Sequence, residues 1–164
     1  MRYGTRLSVY GALGVAVSSY AIYVKRQKTR LQSGYAAFCD SELFSCSEVL
    51  TSEYSSLLSH WGLVGRDSML NLSNAHLGLF VYSLYMLYPL VTKVVPYHVE
   101  FYAVISCCAT VVMLYLAFIL VFVLRDFCIV CVVTYIITAA LLWNSLALLR
   151  AERRGLTSKN QKFE

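Results

Sequence analysis

Four long runs of this chain contain no Asp, Glu, Lys or Arg, and they restrict the folds open to it more than any other feature. They cover Leu7 to Val24, Ala75 to Thr92, Phe101 to Leu124 and Phe127 to Leu149. Each falls in the range of roughly 17 to 25 residues that a helix needs to cross the hydrocarbon core of a bilayer. Charged residues stand at their edges: Arg6, Lys25, Arg26, Lys93, Glu100, Arg125 and Arg150. The third and fourth runs are rich in β-branched residues, which suit buried strands, but their length favours helix. Lipid favours helix as well, because each backbone N–H and C=O in the bilayer core must find its partner inside the protein. With 59% apolar and 14% charged residues, the chain lacks the polar surface that a soluble domain of 164 residues requires. The expectation is an all-α fold, residues 1–164 forming a single membrane domain. Its spans are about 7–24, 75–92, 101–124 and 127–149, with a long loop at 25–74 and a frayed tail at 150–164.

Arg2 and Arg6 ahead of the first run resemble the start of a signal peptide. That run is longer than the usual apolar core of a leader and no small-residue cleavage site follows it, so it reads as a retained anchor. Four crossings place both termini and the Lys93–Glu100 connection on one face, and the long loop with the Arg125-Asp126 junction on the other. Lys and Arg number eight on the terminal face and six opposite, a weak bias toward cytosolic termini. The formal charge of +5 lies mostly outside the apolar runs, where it meets lipid headgroups rather than nucleic acid. Val49 to Leu58 reads either as a short amphipathic helix on the membrane surface or as an ordinary loop.

The six cysteines carry the chemistry. Cys128 and Cys131 form a CxxC at the start of the fourth run, where i and i+3 share one helix face within reach of a disulfide. A helix N-terminus favours thiolate, and Asp126 is placed to cap it. Redox use, packing of two small apolar side chains, and half of a zinc site are the three readings of such a pair. Cys39 and Cys46 lie in the long loop on the same face. Alone they read as a structural disulfide, whereas beside a second dithiol they can exchange electrons with it. Such traffic needs an oxidising compartment, which puts this face in the lumen of the endoplasmic reticulum or an equivalent space. Cys107 and Cys108, mid-span in the third run, read as packing residues. Tyr135 continues the Cys128–Cys131 stripe roughly 6 Å beyond Cys131, pointing a hydroxyl at a ligand oxygen or at another helix. Asn74, near the start of the second run, either caps that helix or turns inward to a substrate carbonyl. His76 reads as an interface residue, with proton donation as the alternative, and Asn71-Leu72-Ser73 matches a glycosylation sequon.

Taken in order, Cys39-Asp40, Ser45-Cys46-Ser47, the Asp67 to Asn74 segment and the Asp126-Phe-Cys-Ile-Val-Cys to Tyr135 segment resemble the vitamin K epoxide reductase family over roughly residues 10–150. The last of these motifs is the most specific. The resemblance implies a four-helix bundle of the endoplasmic reticulum membrane whose luminal loop caps a quinone pocket. It implies that Cys39 exchanges with a thioredoxin-fold dithiol partner and that Cys46 attacks a disulfide at Cys128. Cys131 then attacks the quinone or epoxide, Asn74 and Tyr135 bond the substrate oxygens, and Ser52 supports the loop cysteines. A vitamin K-type quinone enters as substrate, with no permanently bound cofactor and no metal. The Cys39–Cys46 interval and the Ser52–Asp67 segment are shorter than in vertebrate members, which bears on the shape of the cap. Two other functions compete: a quinone-dependent thiol oxidase that makes disulfides, and a claudin-like structural protein, faintly echoed in Trp61-Gly62-Leu63. A CxxC at the head of the fourth span has no role in the second.

Overall fold

A computed structural model of the chain describes residues 2–31, 37, 40, 46–52, 55–56 and 73–160, with backbone alone at 2, 47 and 156–160. No strand occurs among the described residues. Helix α1 is Arg2–Leu31, α2 is Cys46–Thr51, α3 is Asn74–Met86 and α4 is Tyr88–Val94. Helix α5, His98–Phe118, passes into a π-helical turn at Ile119–Leu124, and α6 is Ile129–Asn160. Three helices are long and apolar enough to cross a bilayer, at Tyr3–Leu31, His98–Leu124 and Ile129–Gly155. Helices α3 and α4 together make a fourth candidate, bent by 68°.

That bend corrects the continuous helix expected over 75–92. Pro89 is the second residue of α4. It has no N–H to give, and its ring crowds the carbonyl of Tyr85 one turn back, so the helix breaks at Leu87. The break leaves few orphans: the Leu87 amide still reaches Ser83 O at 3.0 Å, and those of Leu90 and Val91 reach Leu87 O at 2.9 and 3.1 Å. Two helices outlast their apolar runs. Helix α1 continues to Leu31 because no Gly or Pro stands between Val24 and that point, and α6 continues to Asn160, so most of the expected tail is helix. Helix α2 begins earlier than the Val49 to Leu58 reading allowed and ends at Thr51. Its Val49 is buried with Ala21 of α1, so this helix packs its apolar side against the bundle.

Helix α1 lies at the centre, packed against α3 on one side and α6 on the other, with α5 completing the bundle against α6. Glycine makes the first of these contacts close. A Cβ at Gly11 would meet backbone atoms of Tyr85 and Met86, and one at Gly14 would strike the Tyr82 ring. Tyrosines join α3 to α5. The Tyr85 hydroxyl donates to Tyr102 O at 2.9 Å and lies 2.9 Å from Ser106 Oγ, while the Tyr102 hydroxyl donates to Leu84 O at 2.6 Å. Each buried hydroxyl is therefore matched to a partner on the facing helix, which lipid could not supply. At the other end Arg125 takes a left-handed conformation (φ 54°), closing the π-helical turn and redirecting the chain into α6.

Candidate active site

Cys128 occupies the cap position of α6. Its carbonyl accepts the Val132 amide at 3.1 Å, and its Sγ accepts the Cys131 amide at 3.4 Å. The sulfur thus does what a Ser or Asp oxygen does at a helix start, and it replaces the Asp126 cap expected from sequence. Cys128 is fully buried rather than turned to water. Just ahead of the span, hydrogen bonding with the Cys131 thiol and then burial push the Cys128 thiol up, against the downward pull of the Cys131 amide. The depression expected from the helix terminus alone is outweighed, because the Cys131 thiol and then burial disfavour the charge more than one amide favours it.

Cys46 arrives from the other side. It is the first residue of α2, fully buried, and its side chain interacts with that of Cys128. Cys46, Cys128 and Cys131 consequently gather in one cluster, closed by Ala21, Val49, Leu120 and Val130. Two lysines of α1 hold the segment that delivers Cys46. Lys28 Nζ pairs with Glu48 at 2.9 Å, and Lys25 Nζ donates to Ser55 Oγ at 2.8 Å. Ser52 donates to Val49 O at 2.8 Å and so ties off the last turn of α2. Cys39 and the sequon at Asn71 lie outside the described residues; beside Cys39, Asp40 accepts the Ala37 amide at 2.8 Å.

Beyond the cluster opens a cavity of about 510 Å³ between α1, α3, α5 and α6, lined chiefly by apolar side chains. Cys131, Tyr135, Asn74 and Ser52 all line it. Its size and lining are those of a site for an organic molecule with a few polar atoms. Asn74 is not the cap of α3, since Ser73 holds that place with extended backbone (ψ 157°), and Asn74 opens the helix proper. The Tyr135 hydroxyl makes no hydrogen bond among the described residues. Sequence reasoning missed Tyr82, which also lines the cavity but commits its hydroxyl to Thr138 Oγ1 at 2.8 Å and Thr134 O at 3.2 Å. The signal lay in Gly14, whose missing side chain leaves room for that ring. Cys107 and Cys108 correct the packing assignment: both are exposed on α5, and Cys108 lines the cavity. No cluster of three or more His, Cys, Asp or Glu able to hold a metal occurs among the described residues.

An all-helical membrane protein with thiols gathered at the mouth of an apolar cavity is the class these elements define. The profile described as the vitamin K epoxide reductase family matches residues 6–146, and the chain belongs to that family. Vitamin K epoxide reductase complex subunit 1 of Rattus norvegicus and that of Mus musculus are each 38% identical to it over 134 residues, covering 79% of this chain and 80% of the relative.

Proposed function

We propose that the chain is a vitamin K epoxide reductase of the endoplasmic reticulum membrane that also reduces vitamin K quinone to the hydroquinone. The observation that carries this reading is the contiguous cluster of Cys46, Cys128 and Cys131 at a cavity also lined by Asn74 and Tyr135. In the family to which it belongs, the rat and mouse relatives bear the name of that activity.

The Cys128–Cys131 dithiol supplies two electrons and two protons as it closes to a disulfide. An epoxide takes them up and loses its oxygen as water, leaving the quinone. The quinone takes up a second pair and becomes the hydroquinone. Cys131, on the cavity wall, attacks the substrate, and Cys128 then displaces it by attacking Cys131 Sγ. Asn74 and Tyr135 donate to the substrate oxygens as negative charge grows there, in a site from which water is excluded. The isoprenoid or phytyl tail lies among the apolar side chains of the cavity. To reset the site, the Cys46 thiolate attacks Cys128 Sγ and frees Cys131. Cys39 then attacks Cys46 Sγ and frees Cys128, and the resulting Cys39–Cys46 disulfide is reduced by a thioredoxin-fold dithiol protein. Four spans, a luminal cap built on residues 25–74 and cytosolic termini complete the arrangement.

Dithiol-driven reduction of vitamin K epoxide in membranes tests this. Cys131→Ala is expected to abolish turnover. Cys39→Ala is expected to lose turnover driven by a protein dithiol and keep much of that driven by a small one. Equal activity of wild type and Cys131→Ala would remove the catalytic assignment, and inert wild-type membranes would remove the reductase reading.

A further inference from the structure

A second cavity, of about 350 Å³, lies outside the bundle where α1 leaves the apolar run and α3 begins. It is lined by Ile22, Lys25, Arg26, Thr29, Arg30 and His76. Among the described residues no carboxylate lines it. Arg26 and Arg30 are exposed, on successive turns of α1, and neither forms a salt bridge among the described residues, where Lys28–Glu48 is the ion pair present. Lys25 is half-buried and gives Nζ protons to Ser55 and Ser56, which leaves the two arginines as the cations facing outward. His76 holds Nδ1 against Ser73 Oγ at 2.8 Å, so Nε2 is the ring nitrogen available to the cavity. Cationic side chains lining one cavity with no counter-ion among the described residues are what an anion of several oxygens fits, and guanidinium groups suit phosphate oxygens above all.

The height of the cavity names the source of that anion. Val24 is the last residue of the first apolar run and Lys25 the first charge after it, so the cavity straddles the boundary between hydrocarbon and headgroups. Ile22 gives it an apolar base toward the hydrocarbon. Tyr23, 53% exposed, stands one turn below Arg26 at the level where tyrosines anchor spans in the interface. We propose that Arg26 and Arg30, with His76 beside them, form a binding site for the phosphate of an anionic membrane lipid, whose acyl chains run down the outer face of α1. A zwitterionic headgroup would bring its own ammonium into a site that is already cationic, which makes the anionic lipid the preferred occupant.

The test is lipid retention by the full-length protein, followed by native mass spectrometry after reconstitution with phosphatidic acid and phosphatidylcholine in equal amounts. Wild type is expected to keep one phosphatidic acid in preference to phosphatidylcholine. Each exposed cation near an anionic headgroup contributes about fivefold in affinity, so Arg26→Gln/Arg30→Gln should lower retention by about 25-fold. Both positions are exposed and outside the thiol site, so epoxide turnover by that variant reports its folding, and Arg26→Lys/Arg30→Lys should recover much of the binding. Equal retention by wild type and the glutamine variant, or no preference over phosphatidylcholine, overturns the proposal. Displacement of the lipid by millimolar inorganic phosphate would also overturn it, by showing that the cavity takes a free anion.

Discussion

Two tyrosines reach the same cavity with different obligations, and the difference predicts different losses. Tyr82 spends its hydroxyl on Thr138 and Thr134 of α6, so it braces α3 against the helix that carries Cys131. Tyr135 has no such commitment among the described residues. Tyr135→Phe should therefore lower kcat/KM for the epoxide by about 100-fold, the usual loss for one donor to a developing oxyanion, with thermal stability unchanged. Tyr82→Phe should cost about 1 kcal/mol of stability and little chemistry. Steady-state kinetics and thermal unfolding in detergent separate the two. If both variants fall equally in kcat/KM, Tyr135 is a brace as well. At this scale the sequence was readable where neighbours along one helix make the site: Cys128, Cys131 and Tyr135 share a stripe by periodicity alone. It was unreadable where the fold decides. That Cys46 meets Cys128 came from the family resemblance and not from local pattern, and that Cys107 and Cys108 are both exposed, with Cys108 also on the cavity wall, depends on how elements rotate against one another, which a local pattern does not encode.

Elements raise the same contrast. The apolar runs announced the helices because lipid permits little else, whereas the break at Leu87 hung on one proline near the end of a run otherwise suited to continue. The α1–α3 contact was equally hidden, since Gly11 and Gly14 read simply as small residues until the partner is placed. A Cβ at Gly11 would meet main-chain atoms of Tyr85 and Met86, which cannot swing aside as a side chain can. At Gly78 it would come 3.3 Å from Ser18 Oγ, a contact that a small shift relieves. Gly11→Ala should thus destabilise the protein by about 1–3 kcal/mol. Gly78→Ala should be near neutral, because helix propensity gained by losing glycine offsets the tighter contact. Thermal unfolding in detergent reads both; a Gly11→Ala protein as stable as wild type would mean that α1 and α3 stand further apart than this interface requires.

For the whole molecule the open quantity is the number of crossings, and the register of α3 and α4 against α1 decides it. Gly78 approaches Ser18, Tyr82 lies over Gly14, Tyr85 and Met86 over Gly11, and Tyr88 beside Gly4. The bent pair therefore descends antiparallel to α1 from near its middle almost to its first residue, and the cysteine end of α3 lies level with the lysines that hold the cap. A re-entrant segment would turn back at mid-depth and leave the lower half of α1 without this partner. The 68° bend falls only after Tyr85 has passed Gly11, so α3 has already covered α1 from Ser18 to Gly11 before α4 turns, which supports the proposed fourth crossing. The four crossings proposed above put both ends opposite the thiols, whereas three would put them on opposite faces. Protease-cleavable tags at the two termini, digested in sealed microsomes, should be lost together from the cytosolic side, while an impermeant maleimide reaches the cysteine face only after the vesicles are opened. Loss of one tag without the other would mean three crossings, with α3 and α4 entering and leaving by the same face.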